Sequence, residues 1–384
     1  MKFLRLIVRN ALRNKLRTGL TVGGTAFLMF VLLFIMTALT EMEAWQGEAA
    51  KHHRVVVQHS TGLATPLPIE LENYLRGEEV SRHAEHLQKM NWFGGYWQDK
   101  KNFFANFGVD PEPLRQLWDE LDVPDAVYAA WKGQKTGTIV GQSLAKKFGW
   151  KVGQRITLEG TIYPCNPELE IVGIFTARDI RQEEQLFFHW TYLDELMNGR
   201  KIVGTFWMKA KTPEDIPKLK ELIDGHTRNS SDPTETVTEK EFADQFMAMM
   251  GNIKLLVFSL GTIVLVIMIM MNANTVAMSA RERVTEIAVL RTLGFTGGQI
   301  GFLVLAESVL VSLVGLILPL GAALVFFNVM KLSPAAQFFP FFLIEPPTIV
   351  IATAAAVISG LVAAAVPASL AVRRRIVDGL RQVV

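Results

Sequence analysis

Four stretches of this chain contain no Asp, Glu, Lys, Arg or His: Thr18–Thr40, Leu255–Ala280, Ser308–Met330 and Pro346–Val372. A hydrocarbon core of roughly 30 Å takes about 20 apolar residues in a helix, so each stretch is long enough to cross a bilayer. Inside lipid the backbone must satisfy its own polar groups, and within one segment only a helix does so. The pattern predicts transmembrane helices at 20–40, 255–280, 303–330 and 346–372. Residues 41–254 alternate instead between short β-rich runs and Gly/Pro turns. Arg54–His59, Thr138–Val140, Arg155–Glu159, Leu169–Phe175 and Phe206–Lys209 read as strands. Gln142–Phe148 and Pro213–Asp224 read as helices. The fold class expected is an α-helical membrane domain of four spans, with an extracytoplasmic mixed α/β domain inserted between the first and second helices.

Apolar periodicity continues past the spans. Met42, Trp45 and Ala49 follow the first at i, i+3, i+7, and Phe242 and Phe246 precede the second at i, i+4. Helical extensions at 41–54 and 239–254 are therefore expected, packed along an apolar stripe as a stalk. Residues 1–19 have Arg5, Arg9, Arg13 and Arg17 at every fourth position against Phe3, Leu6 and Ile7. That spacing suits an amphipathic helix lying in the inner headgroup layer. A loop at 331–345 joins the last two spans, and a basic tail occupies 373–384.

Charge sets the expected orientation. The net charge of +2 conceals a strong asymmetry. Residues 1–19 hold six Lys/Arg and no acid, whereas Glu41–Lys254 holds 25 basic and 32 acidic residues. Short basic flanks stay in the cytoplasm. Both termini and the 281–300 loop are thus expected inside, with the 41–254 domain and the 331–345 loop outside. The first apolar run exceeds the 7–15 residues of a signal-peptide core, which predicts an uncleaved span. The one cysteine, Cys165, forbids an internal disulfide, so the outer domain needs a hydrophobic core. Eight Trp and Phe residues, from Trp92 to Trp131, are assigned to that core.

The chemistry-bearing patterns are few. No G-x-x-x-x-G-K-[ST] occurs, so the chain has no phosphate-cradling loop of its own. No nucleophile elbow or metal signature is present, and His52, His53 and His59 lack neighbouring ligand spacing. Neither an enzyme nor a nucleic-acid binder is expected, and no cofactor or metal is assigned to the chain. Asn272 and Asn274 can hydrogen-bond between helices. The sharpest local signal is Arg281–Phe295, between the second and third spans. Ile287, Leu290 and Leu293 share one face of a short helix, Gly294 is placed to cap it, and charges flank it. Such a helix suits docking into a groove on a soluble partner.

This segment resembles the coupling loop of the FtsX/MacB-like permeases of ABC transporters, whose pattern runs approximately R-x-x-E-I-G-[IL]-[RL]-[RK]-A-[LI]-G. Arg283, Glu286, Ile287, Val289, Arg291, Leu293 and Gly294 match it, with Ala288 and Thr292 where that family often has Gly and Ala. Glu307 matches a family Glu at the inner end of the third span. Val8–Thr18 resembles the family's basic opening, Val140–Gly149 with Val152–Gln154 a periplasmic segment, and Gly108–Pro111 another short element.

The resemblance implies a permease subunit in a bacterial cytoplasmic (inner) membrane, multi-pass, acting with a second copy or paralogue. It also implies a cytoplasmic ABC ATPase dimer that carries the ATP and Mg. Force would enter through Arg283, Glu286, Ile287, Leu290, Arg291, Leu293 and Gly294, with Glu307 held by loop arginines. It would then leave along the stalk residues Met42, Trp45, Phe242 and Phe246. The periplasmic domain would move cargo (drug, lipid or lipoprotein) by mechanotransmission. The alternative is a regulatory scaffold that activates a periplasmic cell-wall hydrolase. An adaptor, lipoprotein or hydrolase is the corresponding outer partner, and lipid surrounds the spans.

Overall fold

The computed structural model describes residues 15–49, 52–249, 253–330 and 342–373. The basic helix before residue 15, most of the 331–345 loop, the tail beyond Arg373 and the side chain of Trp45 lie outside the described residues. The chain divides into two compact units, one formed by residues 1–43 with 251–384 and the other by residues 44–250.

The first unit takes in α1 (Lys15–Ala49) as far as Glu43; the whole helix is 35 residues long, roughly 52 Å at 1.5 Å per residue. It therefore exceeds what a bilayer core needs. The next helices are α2 (Ile253–Glu282), the short α3 (Val284–Thr292), α4 (Gly297–Ala323) and α5 (Pro346–Arg373). A π-helical turn at Leu324–Val329 continues α4. All four long helices are apolar enough to cross a membrane, with mean hydropathies of 2.3 to 2.6. Their shared core includes Met29, Leu33, Met268, Leu316, Phe327 and Ala356.

Small residues set the closest approach. A Cβ at Gly360 on α5 would stand 2.7 Å from the Val309 Cα on α4, so only glycine allows that spacing. Ala356, Ala364 and Ala368 on the same face are buried, so the small stripe packs within this chain. A polar ladder crosses the bundle. Thr25 Oγ1 donates to Asn272 Oδ1 at 3.0 Å, and Asn272 Nδ2 donates to Ser312 Oγ at 3.2 Å. Asn272 thus links three helices.

The second unit is built on a mixed sheet. Its strands are β1 (Arg54–His59), β2 (Leu67–Pro68), β3 (Ala84–Trp92), β4 (Ala105–Val109), β5 (Leu121–Asp122) and β6 (Gly137–Gly141). They continue with β7 (Arg155–Thr157), β8 (Glu168–Ala177), β9 (Gln185–His189), β10 (Ile202–Val203), β11 (Thr205–Ala210) and β12 (Thr234–Thr238). The main sheet runs β12-β1-β11-β3-β4-β9-β6-β8-β5 with β7 beside β8, and β10 pairs with β2 apart from it. The β4–β9 and β6–β8 pairs are parallel.

Every residue of β1 is buried, because both faces of the sheet are covered. Val55 and Val57 point to one core with Phe206, Leu219 and Ile223, and Val56 points to the other with Val109, Trp131 and Phe187. A β-branched run covered on both faces is what the Val-Val-Val sequence favours. Phe93, Phe104, Trp118 and Trp131 are buried as expected, and Trp92 is 37% exposed.

The stalk expectation needs correction. Helix α1 is described as far as Ala49 and Arg54 already opens β1, so the first extension stops short of residue 54. The helix Glu239–Met249 lies on the sheet. Phe242 meets Trp207 edge-on at 5.3 Å, and Phe246 meets Trp92 at 5.5 Å. Those aromatic partners, distant in sequence, account for the apolar stripe that had suggested helix-to-helix packing.

Candidate functional site

Arg283 interrupts the helix between α2 and α3, with φ −106° and ψ 21°. The break turns its guanidinium toward α4. Its Nη1 donates to Glu307 Oε2 at 2.7 Å and its Nε to Glu286 Oε2 at 3.1 Å. Arg283 and Glu307 are each about four-fifths buried, at 19% and 18% exposed. A carboxylate at this depth in an apolar bundle is costly without a cation, and Arg283 supplies it through charge-assisted hydrogen bonds.

The far end of α3 is held as well. Arg291 Nη2 donates to the Val372 carbonyl in the last turn of α5. A guanidinium donating to a backbone carbonyl makes a charge-assisted hydrogen bond. Gly294 closes α3 in the left-handed region at φ +92°, and its N–H donates to the Arg291 carbonyl at 3.0 Å. Thr296 then starts α4 with a capping box, its hydroxyl accepting from Gln299 N–H while Gln299 Oε1 accepts from Thr296 N–H.

The sequence-expected docking face divides in two. Ile287 is 8% exposed and packs on Ile300 and Phe295, so it faces the bundle together with Val284 and Ala288. Leu290 is half-buried, whereas Leu293 is 71% and Val289 45% exposed. The apolar pair open to a partner is therefore Val289 and Leu293, at i, i+4, beside the exposed Gly294. Ile287 is excluded from it because the start of α4 folds back over that side.

At the opposite end of α1, Met42 is buried and Glu41, 5% exposed, accepts the Leu343 N–H at 2.9 Å. Asn328, in the π turn, pairs with both backbone groups of Ile344.

In the second unit, Arg54 is 1% exposed at the start of β1. Its Nη2 donates to Glu120 Oε1 at 2.6 Å, and its Nε contacts Glu239 Oε2 at 2.9 Å as an ion pair. Trp118 stacks against it, 5.6 Å from ring centroid to Cζ. Arg54 follows the first long helix in sequence and Glu239 opens the segment leading to the second, so one buried cation joins the domain's two chain entries. Beside it, His52, Asp119 and Glu120 bring potential ligand atoms within 4.8 Å of one another. Arg54 already pairs with Glu120, and Lys209 stands 3.7 Å from Asp119. Burial pushes the Asp119 carboxyl up, but Lys209 and other neighbouring groups outweigh it and hold the pKa below its ordinary value. The acids are matched by cations, which disfavours a metal.

The family model for the MacB-like periplasmic core domain matches residues 18–225, over half the chain, and that for the FtsX-like permease C-terminal region matches residues 257–376. The chain belongs to the FtsX/MacB-like permease family. The α/β unit is accordingly a periplasmic core domain set between the first and second of four candidate membrane helices.

The permease is 23% identical over 203 residues to the ABC transporter permease protein Rv0987 of Mycobacterium tuberculosis. That alignment covers 52% of this chain and 22% of the relative, so the match takes in about one fifth of that longer protein. Two solved structures are similar in part. The extracellular domain of the noncanonic ABC-type transporter YknZ from Gram-positive bacteria has a TM-score of 0.36 at 11% identity, covering 48% of this chain and 99% of that one. The periplasmic region of MacB from Actinobacillus actinomycetemcomitans has a TM-score of 0.36 at 10% identity, covering 51% and 92%. The family assignment rests on the two family models.

Sequence reasoning brought out Arg283, Glu307 and Arg291 but missed Arg54, Glu120, Glu239 and Glu41. Glu41 carried a signal, as the first acid after a 23-residue uncharged run. Arg54 lies 66 residues from Glu120, and no local pattern announces the pair.

Proposed function

We infer that the permease is the membrane subunit of an ATP-driven export or mechanotransmission complex, in which α3 receives force from a cytoplasmic ATPase held on separate chains. The observation that carries this reading is the double tether of α3, through Arg283 to Glu307 on α4 and through Arg291 to Val372 on α5, with Val289 and Leu293 left exposed on either side of the second anchor. A helix fixed at both ends to two spans moves them when it is pushed. An exposed apolar pair suits insertion into a groove of a soluble partner. The basic flanks support a cytoplasmic side for α3 and both termini, and the ABC permease family makes an ATPase the partner expected there. ATP and Mg belong to that partner. Movement of the spans would reach the periplasmic domain through its two covalent entries, where Arg54 holds β1 to the segment opened by Glu239.

The test is co-purification and ATPase activity of the complex in nanodiscs. Leu293→Asp places a charge on the exposed face and is expected to abolish ATPase association while leaving the thermal unfolding midpoint unchanged. Ile287→Val, on the buried face, is expected to leave association intact. Full association and transport in the Leu293→Asp variant would overturn the reading.

A further inference from the structure

At the end of the bundle away from α3, residues 342–345 bridge α1 and the π turn that continues α4, and they lead straight into α5. Three consecutive residues are each held. The buried Phe342 ring stacks on Phe34 of α1 at 4.8 Å and meets Phe327 of the π turn edge-on at 5.0 Å. Leu343 donates its N–H to Glu41 on α1. Ile344 donates its N–H to Asn328 Oδ1, and its carbonyl accepts from Asn328 Nδ2. Just beyond, the Thr348 and Thr40 hydroxyls stand 2.9 Å apart.

These contacts do not tolerate sliding. An N–H···O bond fades beyond about 3.2 Å, so a shift of α1 along α4 by roughly 1–2 Å parts one set or the other. The Asn328 pair spans only 16 residues of the same α4–α5 connection and travels with it. Glu41 lies 302 residues from Leu343, on a different helix, so its bond is the one that parts. The α4 side is built to give. Pro319 removes a ladder hydrogen bond, and the wider π turn follows it. We propose that residues 342–345 form a releasable strap with Glu41 as its hook. Engaged, the strap locks α1 to the far end of α4; a shift of α1 releases it. Packed elements of this kind switch between discrete arrangements. Because β1 follows α1 in the chain, the engaged strap also restrains that entry to the α/β unit. The coupling of release to ATP rests on the reading that force from the ATPase moves the spans.

The test is amide hydrogen exchange at Leu343 and Ile344, read by mass spectrometry on the full chain in nanodiscs. Glu41→Ala is expected to speed exchange at least ~10-fold, and Glu41→Gln, which keeps an oxygen acceptor, no more than ~3-fold. The unfolding midpoint verifies that both variants stay folded. In a Cys165→Ala background, Thr40→Cys with Thr348→Cys gives a disulfide lock between α1 and α5. Oxidation is expected to slow exchange at least ~10-fold, and reduction to restore it, because a locked α1 cannot shift. In the complex with the ATPase, ATP turnover is expected to speed exchange at least ~10-fold in the reduced form and not in the oxidised form. The strap is overturned if Glu41→Ala or the lock leaves exchange unchanged. It is equally overturned if a complex that hydrolyses ATP shows no acceleration, which leaves the proposed function standing. Failure of any ATPase to associate overturns the proposed function instead, and the single-chain rates then decide the strap.

Discussion

Arg54 shows what one buried charge does in the periplasmic domain. Desolvating a guanidinium is expensive, and here two carboxylates from distant segments compensate it. Removing one partner of a buried pair typically costs about 3–5 kcal/mol, because the opposite charges stay buried and unpaired. Arg54→Met is therefore expected to lower domain stability by that order. Tryptophan fluorescence of the full-length protein in detergent reports it, since seven of eight tryptophans lie between residues 92 and 207. An unfolding midpoint within a degree of the parent would contradict the clamp. His189 adds a pH term. Its Nε2–H donates to the Trp131 carbonyl at 2.7 Å, and burial lowers its pKa below the ordinary 6.5. Below pH 6.5 the unfolded chain takes up a proton that the folded one resists. The stabilisation is thus complete above pH 6.5 and is lost as pH falls through the folded value. The midpoint is expected to drop between pH 7.5 and 5.5, and His189→Gln is expected to shrink that drop.

At the scale of elements, the α4–α5 contact is the most exacting. A methyl group added at Gly360 would fall 2.7 Å from the backbone Cα of Val309, which cannot rotate away as a flexible side chain can. Gly360→Ala is expected to cost about 1–3 kcal/mol as an overpacked interface, whereas the same change at Gly298, with nothing within 4 Å, is expected to leave the midpoint unchanged. Thermal unfolding of the two purified variants compares them directly.

The long helices were legible in the sequence because lipid demands uncharged runs of a set length, and the strands because β-branched runs sit between turn residues. The inner and outer faces of α3 were not. Nine residues give only two and a half turns, with apolar side chains on both sides, and the choice falls to Ile300 and Phe295, which fold back over Ile287. The packing partners of the second extension were hidden for the same reason. The periodicity of Phe242 and Phe246 is real, but the partners that bury them, Trp207 and Trp92, come from other parts of the chain.

For the molecule as a whole, everything proposed about force requires α3 and the α/β unit to be separated by the bilayer. The native thiol is a poor witness to that. Cys165 is half-buried, and burial raises its pKa, which suppresses the reactive thiolate. Val152 is a better position, at 60% exposed on the periplasmic domain, and Val289, at 45%, serves on α3. In a Cys165→Ala background, Val152→Cys is expected to react with a membrane-impermeant maleimide in intact spheroplasts and to be shielded in inverted vesicles. Val289→Cys is expected to do the reverse. An odd number of crossings between residues 152 and 289 gives opposite labelling, and an even number gives the same labelling. Identical labelling at the two positions would therefore remove α2 as a span, and with it the path from a cytoplasmic motor to the periplasmic domain.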